Sequence, residues 1–268
     1  MENKTLVIAN WKMEPASQKE VERLWDSIKE GIKKNKAAEI IICPPFVWLE
    51  LLGKLSLQKE TKFPMFVLGA QDCFWENSGA YTGEISSLML KDLGCQHVIV
   101  GHSERRKYFG ESDEIANRKL KAVLKNRMKP IFCVGEETRD SFNEDGRQIN
   151  EMGLAVGEQL EKGLVGISAE RVREIIFAYE PVWAIGTGQA CLPDDAMKAQ
   201  LFIRKILSKL YNRRTAERAK IVYGGSVDDR NVLDYVKGAK MDGVLVGGAS
   251  INASEFYRII GKMAEQKQ

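Results

Sequence analysis

Eight short runs of apolar residues, separated by longer segments with helical periodicity, constrain the fold of this chain more than any other feature. The runs show no alternation of apolar and polar residues, which is typical of parallel strands that are buried on both faces. They lie at residues 6–9, 40–43, 66–70, 98–100, 131–134, 175–179, 221–223 and 244–246. A chain with this pattern is expected to form a parallel sheet that is covered by helices.

The segments between the runs place apolar residues three and four positions apart, as the buried face of a helix requires. These faces comprise Val21, Leu24, Trp25, Ile28 and Ile32; Ala116, Leu120, Val123 and Leu124; Ile149, Met152, Val156 and Leu160; Ile203, Ile206, Leu207 and Leu210; and Phe256, Ile259, Ile260 and Met263. The repetition of strand and helix without a Pro/Ser-rich linker predicts an α/β fold, a (β/α)8 barrel with eight parallel strands that forms a single domain over residues 1–268. An open doubly wound sheet is the alternative architecture.

The charge and the cysteines bear on the class of function. The chain has 40 basic and 37 acidic residues, a net charge of +3, and no basic block, so we expect no nucleic-acid partner. The five cysteines are odd in number and lack the spacing of a metal site, which predicts a reduced, cytoplasmic protein without a structural metal. The first apolar run is too short for a signal sequence and no later segment approaches a membrane span, so no association with a membrane is expected.

Polar or glycine-rich segments directly follow five of the eight apolar runs. In a barrel of this type, the residues that perform chemistry lie on the loops after the carboxyl ends of the strands. The segments are residues 10–12, 101–106, 180, 224–226 and 247–250. We therefore expect one site, built by these five loops at one rim of the barrel.

Glu180 ends the sixth run and is followed by an apolar loop. A carboxylate is costly at the end of a buried strand unless the rim is wet or the group takes a proton from a substrate. The loop that follows comprises Pro181, Val182, Trp183, Ala184, Ile185, Gly186 and Thr187. Proline restricts one end and Gly186 and Gly188 free the other, which predicts a lid with a stiff apolar tip. A salt bridge at Glu180 and an ordinary surface loop are the alternatives.

His102, Lys12 and Glu104 are the further candidates for chemistry at this rim. Ser103 and Glu104 are typical of a helix start, which would place His102 near the positive end of a helix dipole and favour a neutral imidazole. Such an imidazole can donate a hydrogen bond to a carbonyl oxygen and move a proton between two oxygens. Lys12 would neutralise phosphate and oxyanion charge, with Glu104 in support, although surface roles are the alternatives for both. His97, at the other end of its strand, is expected to be structural.

The glycines after the seventh and eighth runs suggest a phosphate site. Gly224-Gly225-Ser226 and Gly247-Gly248 let backbone N–H groups approach an anion, and a short helix near Ala249 would add its dipole. Barrels commonly bind phosphate at these two positions. Together the candidates indicate proton abstraction next to a carbonyl group in a small phosphorylated substrate, through an enediolate and without a cofactor. A catalytically silent phosphate-binding barrel and another phosphosugar barrel enzyme, such as a pentose-phosphate epimerase or a Schiff-base aldolase, are the alternatives.

Six motifs, spread from one end of the chain to the other, resemble those of the triosephosphate isomerase family, whose fold is the TIM barrel. They are ANWKM at 9–13, GAYTGE at 79–84, GHSERR at 101–106, AYEPVWAIGTG at 178–188, YGGS at 223–226 and LVGGAS at 245–250. The resemblance implies an aldose–ketose isomerase that interconverts dihydroxyacetone phosphate and D-glyceraldehyde 3-phosphate in glycolysis and gluconeogenesis. A neutral histidine beside a helix terminus is a known feature of that family, so it is not an independent expectation here.

The resemblance also implies a role for each site residue. Glu180 would be the proton-shuttling base and His102 the electrophile. Substrate would be bound by Asn10, Lys12, Gly186, Ser226, Gly247 and Gly248, and the closed lid would be latched by Tyr223 and Ser226.

The segment Gln71 to Glu84 resembles the loop through which members of the family dock into a second subunit. Its tip is Tyr81-Thr82-Gly83, and a homodimer is implied. Asp72-Cys73-Phe74 departs from the expected Asn-containing pattern, and Glu14 replaces an Asn. Both departures bear on the interface and the first loop rather than on Glu180 or His102.

Overall fold

A closed barrel of eight parallel strands forms the centre of the molecule. The computed structural model describes residues 4–34, 38–56, 66–142, 145, 147–187 and 190–264. The barrel strands are β1 (Thr5–Asn10), β2 (Ala38–Cys43), β3 (Val67–Ala70), β4 (His97–Val100), β5 (Lys129–Val134), β8 (Ile176–Tyr179), β9 (Lys220–Tyr223) and β10 (Gly243–Val246). They follow one another around the barrel in chain order, and β1 pairs with both β2 and β10. The predicted barrel is therefore confirmed, and the open sheet is not observed.

Helices surround the barrel. They are α1 (Gln18–Lys34), α2 (Leu49–Ser56), α3 (Ser87–Asp92), α4 (Ser103–Phe109), α5 (Asp113–Lys125), α6 (Glu151–Gly163), α7 (Ala169–Val172), α8 (Pro193–Leu210), α9 (Arg213–Arg218) and α10 (Ala253–Ala264). A π-helical turn, Asp234–Gly238, lies between β9 and β10. The five predicted helical faces fall on α1, α5, α6, α8 and α10.

One residue of the predicted faces lies outside its helix. Ile149 belongs to a small hairpin, β6 (Ser141–Phe142) paired with β7 (Gln148–Ile149), which stands apart from the barrel sheet. Asn150 caps the following helix, since its side chain accepts a hydrogen bond of 2.7 Å from the N–H of Gly153. The inclusion of Ile149 in the α6 face is therefore wrong, because the helix begins only after the cap residue Asn150 and Ile149 precedes that cap.

The two faces of each barrel strand are both apolar, which explains the unbroken runs. In β1, Leu6 and Ile8 pack inside the barrel, whereas Val7 and Ala9 pack beneath the helices. The barrel interior is filled by Leu6, Ile8, Ile41, Cys43, Ile99, Ile131, Cys133, Ile176, Ala178, Val222 and Leu245. Where β10 closes against β1, a Cβ at Gly243 would lie 2.0 Å from the carbonyl oxygen of Leu6, so this position requires glycine.

None of the helices in the described ranges is both long enough and apolar enough to span a bilayer. The five cysteine thiols are buried and unpaired. The assignment of the whole chain to a single domain stays a prediction.

Candidate active site

The five predicted loops meet at the carboxyl ends of the barrel strands, around a cavity of about 730 Å³. Eight of the nine predicted catalytic and substrate-binding residues line this cavity: Asn10, Lys12, His102, Glu104, Gly186, Ser226, Gly247 and Gly248. Glu180 lies beside it and lines a smaller cavity of about 30 Å³ together with Ser103 and Cys133. Residues from five separate parts of the sequence thus share one rim.

Glu180 follows β8 and is almost fully buried, with 1% of its surface exposed. Its Oε2 accepts a hydrogen bond of 2.9 Å from the N–H of Ser103, the first residue of α4. Its Oε1 lies 3.2 Å from Nε2 of His102 but has no hydrogen-bond partner, so the imidazole N–H is not directed at that oxygen. The carboxylate is therefore held by the helix terminus, in contact with the imidazole and withdrawn from the larger cavity.

His102 is the N-cap residue of α4. Its Nδ1 accepts a hydrogen bond of 3.3 Å from the N–H of Glu104. A nitrogen that accepts carries no proton, so this geometry fits a neutral ring with its proton on Nε2, the nitrogen that lies 3.2 Å from Oε1 of Glu180. The sequence located the imidazole next to the helix terminus but did not reveal that the imidazole itself caps the helix.

Lys12 reaches across the rim to Glu104. Its Nζ lies 2.6 Å from Oε1 of Glu104. Lys12 has a positive φ of 53°, a region that lysine rarely adopts. The side chain of Asn10 accepts from the Lys12 N–H at 3.0 Å, and Gln71 donates to the Lys12 carbonyl oxygen at 2.7 Å. These two contacts hold the strained backbone, and sequence reasoning missed Gln71 as a supporting residue because it was assigned to the docking loop.

The two glycine-rich loops line the large cavity together with Lys12. Gly248–Ser250 forms a short 3-10 turn, as expected near Ala249. A Cβ at Gly247 would lie 3.3 Å from Cε of Lys12, so glycine leaves room for the lysine stem. One expectation is wrong in detail: the N–H of Gly224 donates to the carbonyl oxygen of Tyr179 at 2.8 Å, so it is used by the barrel rather than offered to an anion.

The predicted lid begins directly after Glu180. Val182–Ala184 forms a 3-10 turn, while Ile185 and Gly186 line the large cavity. Gly186 has a φ of 72°, in the region that favours glycine, and its role as a hinge stays a prediction. The second hinge glycine of the prediction, Gly188, lies outside the described residues.

Glu136 joins the lid to the barrel and was missed by sequence reasoning. Its Oε1 accepts hydrogen bonds from the indole Nε1 of Trp183 at 2.7 Å and from the hydroxyl of Tyr179 at 2.9 Å. Burial raises the pKa of this carboxyl group, and the two donors oppose that shift only in part. The signal was available, because Glu136 comes just after the fifth apolar run at the same rim.

The predicted latch residues differ in their contacts. The hydroxyl of Ser226 donates to the carbonyl oxygen of Ala184 at 2.9 Å and so joins the seventh loop to the lid. The hydroxyl of Tyr223 has no hydrogen-bond partner within the described part of the chain, and its ring stacks on Tyr235 at 3.7 Å between centroids. A latch role for Tyr223 stays a prediction.

His97 lies at the opposite end of β4 from His102 and is buried. Burial, together with Lys129 and Lys220, lowers the pKa of His97 to about 3. The ring is therefore neutral near pH 7. His97 does not line the large cavity. Within the ranges that the structure describes, no group of three or more His, Cys, Asp or Glu side chains could hold a metal ion.

Comparison with known proteins places this geometry in a family. A model of the triosephosphate isomerase family matches residues 5–263. Among similar curated proteins, the triosephosphate isomerase of Dictyoglomus turgidum is 43% identical over 255 residues, which cover 95% of this chain and 98% of that protein. Those of Dictyoglomus thermophilum and Geotalea uraniireducens are 42% and 40% identical, with 95% and 96% of this chain and 98% of each relative covered. The chain therefore belongs to the triosephosphate isomerase family.

Proposed function

We propose that this protein interconverts dihydroxyacetone phosphate and D-glyceraldehyde 3-phosphate by proton transfer through an enediolate. The observation that carries the proposal is the contact of 3.2 Å between Oε1 of Glu180 and Nε2 of His102, beside a cavity that Lys12 and the two glycine-rich loops line. Family membership supports the same conclusion. Glycolysis and gluconeogenesis, in the cytoplasm, are the setting that this reaction implies.

The reaction requires a base and stabilisation of an oxyanion. In the proposal, Glu180 takes the proton from the carbon next to the carbonyl group and returns it to the neighbouring carbon. His102 donates from Nε2 to the carbonyl oxygen and moves a proton between the two substrate oxygens. Lys12 opposes the developing negative charge, with Glu104 fixing its ammonium group. A base and an oxyanion stabiliser each supply about 3 to 5 kcal/mol of barrier reduction, so these groups have to act together.

Glu180 has to move before it can act. Its Oε2 accepts from the N–H of Ser103, and the carboxylate does not face the large cavity. Because Pro181 follows it directly, displacement of the lid and displacement of the base are linked. Closure would bring the carboxylate to the substrate and exclude water from the enediolate, which limits loss of phosphate.

The phosphate group is proposed to lie against Gly186, Ser226, Gly247 and Gly248, with the rest of the substrate near Asn10 and Lys12. All six residues line one cavity. Ser226 contacts the lid through Ala184 while the base is withdrawn, and we propose that it exchanges this contact for one that latches the closed lid. Tyr223 is proposed as the second latch group.

We further propose that two copies of the chain form a homodimer through the loop from Gln71 to Glu84. Tyr81 is 46% exposed at its tip, and Thr82 beside it is exposed. The rings of Phe74 and Tyr81 lie 4.6 Å apart, so the tip has a defined shape for docking.

An isomerisation assay on the purified protein tests the function. Glyceraldehyde 3-phosphate is supplied, and the dihydroxyacetone phosphate produced is reduced by an NADH-dependent coupling enzyme. Turnover well above that of the Glu180→Gln variant is expected. No turnover, together with binding of a phosphate-bearing inhibitor, would favour a silent barrel. Epimerisation of a pentose phosphate, or trapping of a Schiff base by borohydride, would favour another phosphosugar enzyme.

A further inference from the structure

The indole of the lid residue Trp183 is held on two sides by the connection between β5 and α6. Along one edge, its Nε1 donates to Glu136. Over one face lies Arg139, whose guanidinium carbon is 4.1 Å from the ring centroid. A guanidinium group at this distance attracts the negative face of the ring. The lid therefore touches a cation that belongs neither to the lid nor to the catalytic groups.

The segment that carries Arg139 is fixed to a part of the molecule other than the lid. Next to it, Asp140 accepts a hydrogen bond of 3.1 Å from the N–H of Glu151, the first residue of α6. The hydroxyl of Ser141, at the start of the hairpin, donates to the side chain of Glu151 at 2.8 Å. Stacking of Arg139 on Trp183 thus joins a segment that moves in the proposed mechanism to a segment that is anchored on a helix.

The surroundings leave room for this contact to break. Arg139 is exposed, and it lines, together with Trp183, Glu136 and Lys198, a cavity of about 330 Å³. The indole can therefore separate from the guanidinium group without a clash. A contact of this kind favours the lid position in which it forms.

The lid position that the contact favours is the one with the base withdrawn. Glu180 immediately precedes the lid, and its carboxylate accepts from Ser103 rather than facing the large cavity. We propose that Arg139 is a positioning residue, which stacks on Trp183 and so sets the balance between the withdrawn and the substrate-closed positions of the lid and of Glu180. This inference rests on the proposed isomerase function.

Binding of 2-phosphoglycolate, whose carboxylate imitates the enediolate, measures that balance. Removal of a contact made only in the withdrawn position makes closure easier, so Arg139→Gln should bind the inhibitor about two- to fivefold more tightly. The KM for glyceraldehyde 3-phosphate should fall by a similar factor, and kcat should not rise. Arg139→Lys keeps the charge but loses the planar group, so its effect should be intermediate.

Lys198→Ala is the matched control. Its ammonium group lines the same cavity and pairs with Asp195 at 2.8 Å, so the variant loses the same charge without losing a contact to Trp183. Inhibitor affinity and KM are expected to stay at the wild-type values. If Lys198→Ala tightens binding as much as Arg139→Gln does, the effect is one of net charge and the positioning role is wrong.

Fluorine NMR of protein labelled with 5-fluorotryptophan reports on Trp183 without any reaction. Arg139→Gln should shift or broaden the Trp183 signal, which is assigned by its loss in Trp183→Phe, whereas Lys198→Ala should not. Unchanged signals together with unchanged inhibitor affinity, or weaker binding, would overturn the inference. If the wild-type protein lacks isomerase activity, the proposed function is wrong, whatever the NMR signals show. A changed Trp183 signal in Arg139→Gln would then support the contact between Arg139 and Trp183, but the proposed link of that contact to catalysis would be overturned.

Discussion

At the scale of single residues, the site depends on short contacts around one carboxylate. Oε2 of Glu180 is bonded to a backbone N–H, whereas Oε1 has only the close approach of His102. Because one oxygen is anchored and the other is free of hydrogen bonds, the group combines a defined resting position with an unsatisfied acceptor. That combination suits a base that moves to its substrate.

Replacement of Glu180 by Gln tests the base. The amide keeps an oxygen that can accept from Ser103, so folding should change little, whereas proton abstraction is lost. We expect kcat to fall by about 100- to 10,000-fold in the coupled assay, with the melting temperature close to that of the wild type. Glu158→Gln, an exposed carboxylate on α6, is the control and should be fully active. Near-normal turnover by Glu180→Gln would remove the assignment.

Lys12→Met tests the cation at nearly constant side-chain length. The substitution removes the charge that is proposed to contact the bound anion, and it leaves Glu104 without its Lys12 partner. It should weaken 2-phosphoglycolate binding by at least about 30-fold and lower kcat as well. Calorimetric titration measures the first effect and the coupled assay the second. Unchanged inhibitor binding would make Lys12 a surface charge.

Gly135 illustrates a requirement that the sequence does not reveal. A Cβ at this position would lie 1.7 Å from the carbonyl oxygen of Glu180, so the chain directly after β5 and the chain directly after β8 approach each other too closely for any side chain. Gly135→Ala should therefore displace the backbone of Glu180, costing about 1 to 3 kcal/mol of stability and much of the activity. Gly261→Ala, inside α10 where a Cβ would meet nothing within 4 Å, is the control; it should raise the melting temperature slightly by favouring the helix and leave turnover unchanged. Equal behaviour of the two variants would contradict the close approach.

At the scale of secondary-structure elements, the sequence predicts the regular parts well and the contacts between elements poorly. The eight strands were found because both faces of each strand are apolar, and the polar rim segments followed from the strand ends. Ile149 was misplaced because a hairpin precedes α6, and no apolar spacing distinguishes the last hairpin residue from a helix start. Gln71 and Gly135 were not assigned to the site because their roles depend on backbone atoms of distant elements, which residue types do not encode.

A buried ion-pair cluster connects α4 and α5 to the loop after β3. Glu111 accepts from Lys119 Nζ at 2.5 Å, from Arg105 Nε at 3.0 Å and from the N–H of Gly101 at 2.8 Å. Both cations also pair with Asp72, one of the departures noted in the docking loop. Burial raises the pKa of Glu111, but Lys119 and the other donors outweigh it, so the pKa in the folded protein lies below 4.5.

The pH dependence of stability follows from the lowered pKa of Glu111. A carboxyl group with a lowered folded pKa stabilises the protein above its unfolded pKa, and the contribution is lost as the pH falls through the folded value. Glu111→Gln should therefore destabilise the protein at pH 7, by about 3 to 5 kcal/mol, because it leaves the buried Lys119 and the partly exposed Arg105 with only Asp72 as an anionic partner. The difference from wild type should shrink as the pH falls below 4.5, the ordinary value for this group.

Urea unfolding at several pH values measures this difference. Glu114→Gln, at an exposed position in the first turn of α5, is the control, because it removes a carboxylate whose pKa is also lowered but which pairs with no buried cation. Burial raises the pKa of Asp72, so the ionisation of Asp72 changes the stability with pH in the direction opposite to that of Glu111. The substitution of Glu111 alone is therefore needed to isolate its contribution. A penalty that stays constant from pH 7 down to pH 3 would show that Glu111 acts by packing alone.

At the scale of the whole molecule, the docking loop stands out from the barrel as a shaped projection. Phe74 is tied to the end of the loop, since its N–H donates to the carbonyl oxygen of Ile85 at 2.8 Å. Its ring contacts both Trp75 and Tyr81, at 4.0 Å and 4.6 Å between centroids. A loop that is stiffened by aromatic contacts while its tip is exposed would lose little conformational entropy in the proposed docking into a second copy.

Thr82→Arg tests whether this tip is buried between subunits. A long cation placed in a close-fitting pocket would be desolvated without a partner, so the variant should sediment as monomers at micromolar concentration, whereas the wild type should sediment at twice the chain mass of 30.2 kDa. Activity should fall in parallel, because Gln71 and Lys12 belong to the same contact network at the base of the loop. Ser208→Arg, at an exposed position on α8 and outside the loop from Gln71 to Glu84, controls for the same added charge. A wild-type protein that sediments as a monomer, or a Thr82→Arg variant that stays dimeric, would refute the loop-docked interface.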